Sequence, residues 1–521
     1  FLRNVEHRLQ YLDDAQRHDL PAQDEDRARL ASMAGFASWE AFYAQLARHR
    51  AAVTREFQDA LAGPRQDFEP WPDHPRLAAL RASQRYAALP QDSRARIDAL
   101  VPALARAARA GGDFEAVLAR GLDLVEAIAS RAAYLALLAE YPQALERVMK
   151  MIAASSWAAE FVTRHPLLLD ELLDDRVLYA PPDWDAFARS LRAALAAAAG
   201  DAEAQMNVLR EQHQAQQFRL LAQDLAGLLS VERLADHLSL LADLALEAAL
   251  QLAWSGLRDR HRDAAPRFAV VAYGKLGGKE LGYASDLDLI FLYDDPDERA
   301  PEVYARLAQR FNHWLTTRTA SGMLFETDLE LRPSGRSGLL VSSLEAFERY
   351  QEHDAWTWEH QALTRARFCA GDRALGAAFE AIRERILRRA RDTDQLRSDV
   401  LAMRAKLHAA HPNPSGLFDL KHDSGGMVDV EFAVQFLVLA HAHRHPSLTS
   451  NLGNIALLKM AGDLDLVPPV LAGRCRDAYR EFRRLQHALR LNGARYARVA
   501  TGQVSAHIRS VRELWQEVFR S

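Results

Sequence analysis

Most of the chain repeats apolar residues at three- and four-residue spacing among Ala, Leu, Arg and Glu, the period of amphipathic helices. Residues 1–18 read as one such helix, stopped by Leu20-Pro21. Arg27–Met33 and Trp39–Leu61 read as two more, with Gly35 breaking the first and Ser38 capping the second. Gly63, Pro64, Pro70, Trp71, Pro72 and Pro75 then crowd one short stretch, which predicts a linker. From about 76 to 180 helix is expected to follow helix, punctuated by Pro90, Pro102, Gly111-Gly112, Pro142 and Pro166, with a second boundary at Pro181-Pro182. The apolar run Pro166–Leu173, carrying Asp170 and Glu171, reads as a packed helix end. Long helices are expected at about 201–226 and 231–257, the second with Ser230 as its cap and Glu232 in its first turn.

At Pro266 the period changes. Phe268–Ala272 and Leu287–Tyr293 are short apolar runs of buried-strand character, Val303–Thr317 is helical, and Met323–Leu331 alternates as a strand does. Helical pattern then returns from Leu344 to the end. The reading is a mostly α chain with one small α+β core at about 265–340, and that isolated sheet is where chemistry is expected.

Composition narrows the field. The 521 residues predict three or four domains, and 49% hydrophobic with 26% charged residues excludes a disordered chain. The formal charge of −5 and a pI near 6.5 argue against a broad nucleic-acid surface. Cys369 and Cys475 cannot build a disulfide framework or a cysteine zinc site; they read as core residues and fit a reducing cytoplasm. Residues 1–21 carry Arg3, Glu6, His7, Arg8, Asp13 and Asp14 with no apolar signal region, and no run reaches the roughly 18 unbroken apolar residues of a membrane span. The chain opens at Phe1 in mid-pattern, so it reads as a piece of a longer protein.

The informative segment is Val270–Tyr293, VVAYGKLGGKELGYASDLDLIFLY. A strand ends in the glycine-rich turn Gly274–Gly278, and a second strand carries Asp286-Leu287-Asp288. Strand alternation puts both carboxylates on one face, where they repel unless a cation sits between them, and Mg²⁺ prefers carboxylate and phosphate oxygens. Glycines let backbone N–H groups approach a phosphate, and Lys275 and Lys279 flank the same turn. Each element alone is weak. Gly277-Gly278, seven residues, then acid–apolar–acid–apolar entering a strand is the signature of nucleotidyltransferases related to polymerase β. That superfamily needs a third carboxylate, for which Glu326, Asp328 and Glu330 are candidates, all on one strand face by alternation.

Four longer stretches, GKLGG…ELGYASDLDLIFLYD, TRTASGMLFETDLELRPSGRSGLLVSS, YQEHDAWTWEHQALTRAR and FDLKHDSGGMVDVEF, resemble the glutamine synthetase adenylyltransferase / adenylyl-removing enzyme family. The resemblance implies a polymerase-β-like sheet flanked by helical bundles. It implies residues 1–62 as the helical tail of a preceding adenylyl-removing half and 63–190 as a helical regulatory region. Residues 191–395 would then be the nucleotidyltransferase domain and 396–521 a carboxy-terminal helical bundle. The implied reaction moves AMP from ATP to a tyrosine of glutamine synthetase, with two Mg²⁺ ions and with control by the PII signalling protein and glutamine. Adenylyl removal is not expected of this piece. By matching position, Asp286, Asp288 and Asp328 would be the catalytic and metal-binding acids, with Asp328 helping to deprotonate the tyrosine. Gly277, Gly278, Lys279, Ser285, Arg332 and Arg336 would contact nucleotide or phosphate. The family pattern D-x-R-L-R-P is here Asp328-Leu329-Glu330-Leu331-Arg332-Pro333, so Glu330 stands where a cation is expected. Transfer to another protein or small molecule, and a catalytically silent helical scaffold, are the alternatives.

Several further residues carry a plainer reading. Trp356 and Trp358 are expected to pack against the sheet rather than stack on adenine. Arg365 and Arg367 divide evenly between a triphosphate and helix-end carbonyls. Asp429 and Glu431, two apart on a helix, face different ways and suit capping or interdomain contact better than a shared metal. His441, His443 and His445 read as a solvated helix end.

Overall fold

The computed structural model describes residues 1, 2, 5, 9, 20–61, 70–450 and 453–520, and it divides into two units, Phe1–Trp71 and Pro72–Ser521. In the first, α1 (Asp24–Met33) and α2 (Trp39–Leu61) follow the expected pattern. Ala41 N donates to Ser38 Oγ at 3.2 Å, the cap expected of that serine. Leu30, Phe42 and Leu46 are buried together with Val5 and Leu9. Most of the helix expected over 1–18 lies outside the described residues, as do Gly63 and Pro64.

The second unit begins with short helices and then α3 (Gln91–Ala110), which buries Ile97, Leu100, Val101, Leu104, Ala105 and Ala108 along one stripe. Pro102 sits inside α3 instead of ending it. A proline there forfeits one intrahelical bond, and the buried apolar stripe around it offsets that loss. Pro166–Leu173 is a 3₁₀ helix with Leu168, Leu169 and Leu172 buried. Two long helices follow, α4 (Ala202–Leu225) and α5 (Val231–Ser255). Ser230 Oγ accepts from Arg233 N at 3.3 Å, as expected of that cap. By length and composition α5 could cross a membrane; here Leu238, Leu241, Ala242, Leu246 and Ala249 are buried against the sheet.

The sheet is built from β1 (Phe268–Ala272), β2 (Leu287–Tyr293), β3 (Thr327–Asp328), β4 (Val341–Ser343) and β5 (Arg367–Gly371), with α6 (Ala300–Thr316) between β2 and β3. The order is β3-β2-β1-β5, and β4 pairs with β2 further along the same strand. β1 runs antiparallel to β2 and β5, whereas β3 and β4 run parallel to β2. Two expectations are corrected here. The strand expected over Met323–Leu331 shrinks to Thr327–Asp328, because the polar turn after Asp328 leaves the ladder. The sheet also extends past residue 340 to Gly371: β5 has no alternation of its own and becomes a strand by pairing with β1.

Alternate residues of the two central strands feed two separate cores. Phe268, Val270, Ala272, Leu287, Leu289 and Phe291 pack with α4, α5 and α6. Val271, Tyr273, Ile290 and Leu292 face the other way. There they meet Phe347 and Phe379 and the carboxy-terminal helices α7 (Met427–His441), α8 (Asn454–Asp463), α9 (Pro469–Leu491) and α10 (Thr501–Val518). Each large apolar side chain so buried contributes about 2 kcal/mol. A sheet covered on both faces explains why its strands read as apolar runs.

Arg210 of α4 is wholly buried and serves the loop that leads to β3. Its guanidinium donates to Met206 O, Gly322 O, Trp314 O and Thr317 O at 2.6–3.0 Å. Arg210→Met removes these four bonds from a wholly buried place, and a loss of about 2–4 kcal/mol is expected, read as a lower urea midpoint for the second unit; an unchanged midpoint would refute this role.

Candidate active site

The glycine-rich turn starts where β1 meets β2. Tyr273 N donates to Asp288 O at 2.8 Å, so the turn opens directly beside Asp288. Gly274 has φ +54°, and a Cβ on it would lie 1.9 Å from Asp288 Oδ2. Only glycine fits there. Gly277 and Gly278 are glycine for a different reason from the expected one. A Cβ on Gly277 would lie 1.9 Å from Arg365 O, and one on Gly278 would lie 2.6 Å from Arg365 Nε. Their N–H groups donate to Tyr273 O and Gly274 O, inside the turn itself. Lys279 is exposed at φ +53°. Ser285 Oγ accepts from Gly282 N at 3.1 Å and from Lys275 Nζ at 3.4 Å.

The ladder between β2 and β3 brings two of the expected carboxylates together, since Asp288 and Asp328 are register partners. Asp286 stands exposed just before β2. Burial, then repulsion from Asp286 and Asp328, pushes the Asp288 carboxyl up to about 6, against the pull of Lys275 and Arg365. Burial and the neighbouring cation Lys421 lower the Lys275 ammonium, with Arg490 adding to this and Asp286 and Asp288 opposing it. Lys421 and Arg490 come from the carboxy-terminal helical region. Sequence reasoning missed both, and the FDLKH stretch was the one signal available for Lys421.

Beside the carboxylates lies an open cleft of about 440 Å³, lined by Asp286, Asn312, Glu326, Asp328, Glu330, Arg332 and Arg336 among others. Glu326, Asp328 and Glu330 do not share one strand face as expected, because the strand ends at Asp328. Asp328 Oδ1 instead accepts from Glu330 N at 2.8 Å, turning the chain. Glu330 pairs with Arg336, whose Nε lies 2.7 Å from Glu330 Oε1. The acid found where a cation was expected is therefore partnered by a cation six residues on. Arg332 donates to Leu329 O, Gly338 O and Arg336 O at 2.6–3.2 Å, so it braces the loop with donors a phosphate would otherwise use.

The other singled-out residues divide clearly. Trp356 is 71% exposed and Trp358 is 37% exposed, so neither packs against the sheet as expected. The short helix Thr357–Leu363 turns Glu359, Gln361 and Leu363 inward, leaving the tryptophans on its outer side. Arg367 forms a two-pronged pair with Asp243 of α5 at 2.7 and 2.8 Å. Arg365 meets Glu280 at 2.7 Å and Glu431 at 3.5 Å. Asp429 holds Arg404 and Gly425 N at 2.6 Å, and its carboxylate is directed away from Glu431's partners. Cys475 is buried and Cys369 partly so, both as free thiols. No group of three or more His, Cys, Asp or Glu residues among those described is gathered in metal-binding geometry, the histidines at 441–445 included.

The carboxylates nonetheless suit a hard divalent cation. Asp288 carries like-charge repulsion that Lys275 and Arg365 only partly offset, and its oxygen occupies the space a Cβ on Gly274 would fill. A carboxyl whose folded pKa stands above its unfolded value stabilises the fold in acid. That contribution is complete below 3.8 and lost as pH rises through about 6. With chelator present, Asp288→Asn should therefore stabilise the chain at pH 7.5 by roughly 1–3 kcal/mol. The advantage should vanish near pH 4 in melting curves; an Asn variant less stable at pH 7.5 would contradict it.

Residues 145–382 match the model of the glutamate-ammonia ligase adenylyltransferase family. Residues 1–61 and 384–499 match that of the PII-uridylyltransferase family. Three similar proteins are each called bifunctional glutamine synthetase adenylyltransferase/adenylyl-removing enzyme, from Aromatoleum aromaticum, Ralstonia nicotianae and Chromobacterium violaceum. They are 56%, 51% and 49% identical over all of this chain. The chain spans 58%, 58% and 61% of their respective lengths. Over its whole length, with the Asp288–Asp328 sheet inside the matched region, this chain is similar to the bifunctional glutamine synthetase adenylyltransferase/adenylyl-removing enzymes.

Proposed function

We propose that the chain transfers AMP from ATP to a tyrosine hydroxyl of glutamine synthetase, releasing pyrophosphate. The observation that carries this reading is the Asp288–Asp328 register pair beside the glycine-rich turn, with the Asp288 carboxyl pushed up to about 6. Mg²⁺ held by Asp286, Asp288 and Asp328 would supply charge neutralisation for the triphosphate and the leaving pyrophosphate. The chain's own groups orient and move protons. Asp328, fixed by Glu330 N, is the acceptor for the phenolic proton as the tyrosine oxygen attacks the α-phosphorus. Lys275 and Lys279 border the turn that receives the phosphates, with Ser285 anchored beside them. Arg336 offers its exposed guanidinium from across the cleft, tethered through Glu330. The Glu330–Arg336 pair weighs against a silent scaffold, since the departure from the family pattern is locally compensated.

Residues 1–61 match the PII-uridylyltransferase family model in a stretch separate from the 384–499 match, which supports 1–62 as the helical tail of a preceding adenylyl-removing half. Residues 63–190 would be the region through which PII protein and glutamine act, 191–395 the transferase domain and 396–521 its helical bundle. Two free thiols accord with a cytoplasmic location. Adenylyl removal is assigned to the half not represented here.

Label from α-labelled ATP with Mg²⁺ should pass to purified glutamine synthetase, and Asp286→Asn should reduce that transfer at least about a hundredfold without lowering the melting temperature. Transfer by the variant at the parent rate would remove Asp286 from the site. ATP binding with no transfer to glutamine synthetase would reassign the acceptor.

A further inference from the structure

Glu280 closes the glycine-rich turn, its N–H donating to Lys275 O at 2.7 Å. Its side chain, 7% exposed, is held by groups that come almost entirely from the far core. Oε2 accepts from Arg365 Nη2 at 2.7 Å and from the Tyr479 hydroxyl at 2.9 Å. Oε1 accepts from Asn454 Nδ2 at 3.3 Å, with Arg483 Nη1 at 3.9 Å. The Tyr479 hydroxyl also lies 3.0 Å from Glu431 Oε1, and it accepts from Asn454 Nδ2 at 2.9 Å. Glu431, Asn454, Tyr479 and Arg483 sit on α7, α8 and α9 of the carboxy-terminal bundle.

Two features distinguish this cluster from an ordinary buried ion pair. The Tyr479 hydroxyl has one proton and two carboxylate neighbours, so it can donate to the turn or to the bundle but not to both at once. Arg365 bridges the same two carboxylates and so keeps them from repelling each other. Arg365 is also the floor on which Gly277 and Gly278 rest, at distances that admit no side chain. Gly274, at the other end of the turn, is packed just as closely on Asp288. The turn is therefore clamped between the carboxylate on β2 and an arginine that pairs with the turn's own Glu280 and with Glu431 of the bundle.

We infer that Glu280, Arg365, Glu431 and Tyr479 form a latch through which the carboxy-terminal bundle sets the position of the glycine-rich turn, and with it the triphosphate, relative to Asp288. These are positioning residues, since none lies on the reacting atoms. The inference rests on the proposed nucleotidyl transfer for its kinetic consequence, but the latch itself is a property of the turn and can be read without any acceptor.

The test uses the full chain with Tyr479→Phe, which keeps the ring, and Glu431→Gln, which keeps the shape. Hydrogen–deuterium exchange of peptides covering 273–282 should quicken about tenfold in each variant, the factor expected for one lost hydrogen bond. Exchange of peptides within α9 should stay at the parent rate. In AMP transfer, KM for ATP should rise about tenfold while KM for the protein acceptor is unchanged. Parent-like exchange at 273–282 in both variants would overturn the latch, and so would a uniform rise across turn and bundle, the mark of a merely structural cluster. If the parent chain transfers no AMP, the proposed reaction fails, and the exchange result still decides the latch.

Discussion

Holding two carboxylates side by side in a partly buried place is the constraint on which the rest of this structure depends. At about 5 Å and an effective dielectric near 20, two like charges repel by about 3 kcal/mol. The pair Asp288–Asp328 is kept together by main-chain bonds that do not care about side-chain charge. Leu287 N donates to Glu326 O on one side of β2 and Tyr273 N to Asp288 O on the other. Those bonds are short-range, and the strand bearing Asp328 is only two residues long. Its position is supplied from outside, by Arg210 on the loop before it and by the pairing of Thr327 Oγ1 with Asn312 Oδ1 at 2.7 Å.

The cations around this pair fall into two sorts. Arg332, Arg365 and Arg367 spend their donors on carbonyls or on buried acids, and so fix the geometry of loops and helices. Lys275 and Arg336 lie near the carboxylates with their heads on Ser285 and Glu330, and Lys279 is exposed on the turn. A site for a highly charged ligand needs both. Fixed cations make the walls rigid, and exposed ones stay open to an incoming anion.

The sheet also divides the second unit's packing. One face is closed by α4, α5 and α6, which precede or interrupt the sheet in sequence. The other is closed by helices that arrive only after residue 344. The carboxy-terminal bundle is therefore part of the same hydrophobic structure as the strands that carry the carboxylates. Its polar contacts reach the glycine-rich turn itself through Tyr479 and Asn454.

The sequence by itself determined the helices, the two central strands and the acids. A period of 3.6, a capping serine, or an apolar run broken by Asp288 is a local pattern, and local physics suffices to read it. It also located Gly277-Gly278, but not what they make room for, because Arg365 lies far along the chain. Tertiary structure alone decided what depends on partners distant in sequence. That includes β5 as a strand, the short reach of β3, the outward tryptophans, the pairing of Glu330 with Arg336 and the diversion of Arg332 to carbonyls. Each of these is a choice between two locally acceptable states, and the free energy that selects one of them comes from contacts made only when the chain has folded back on itself.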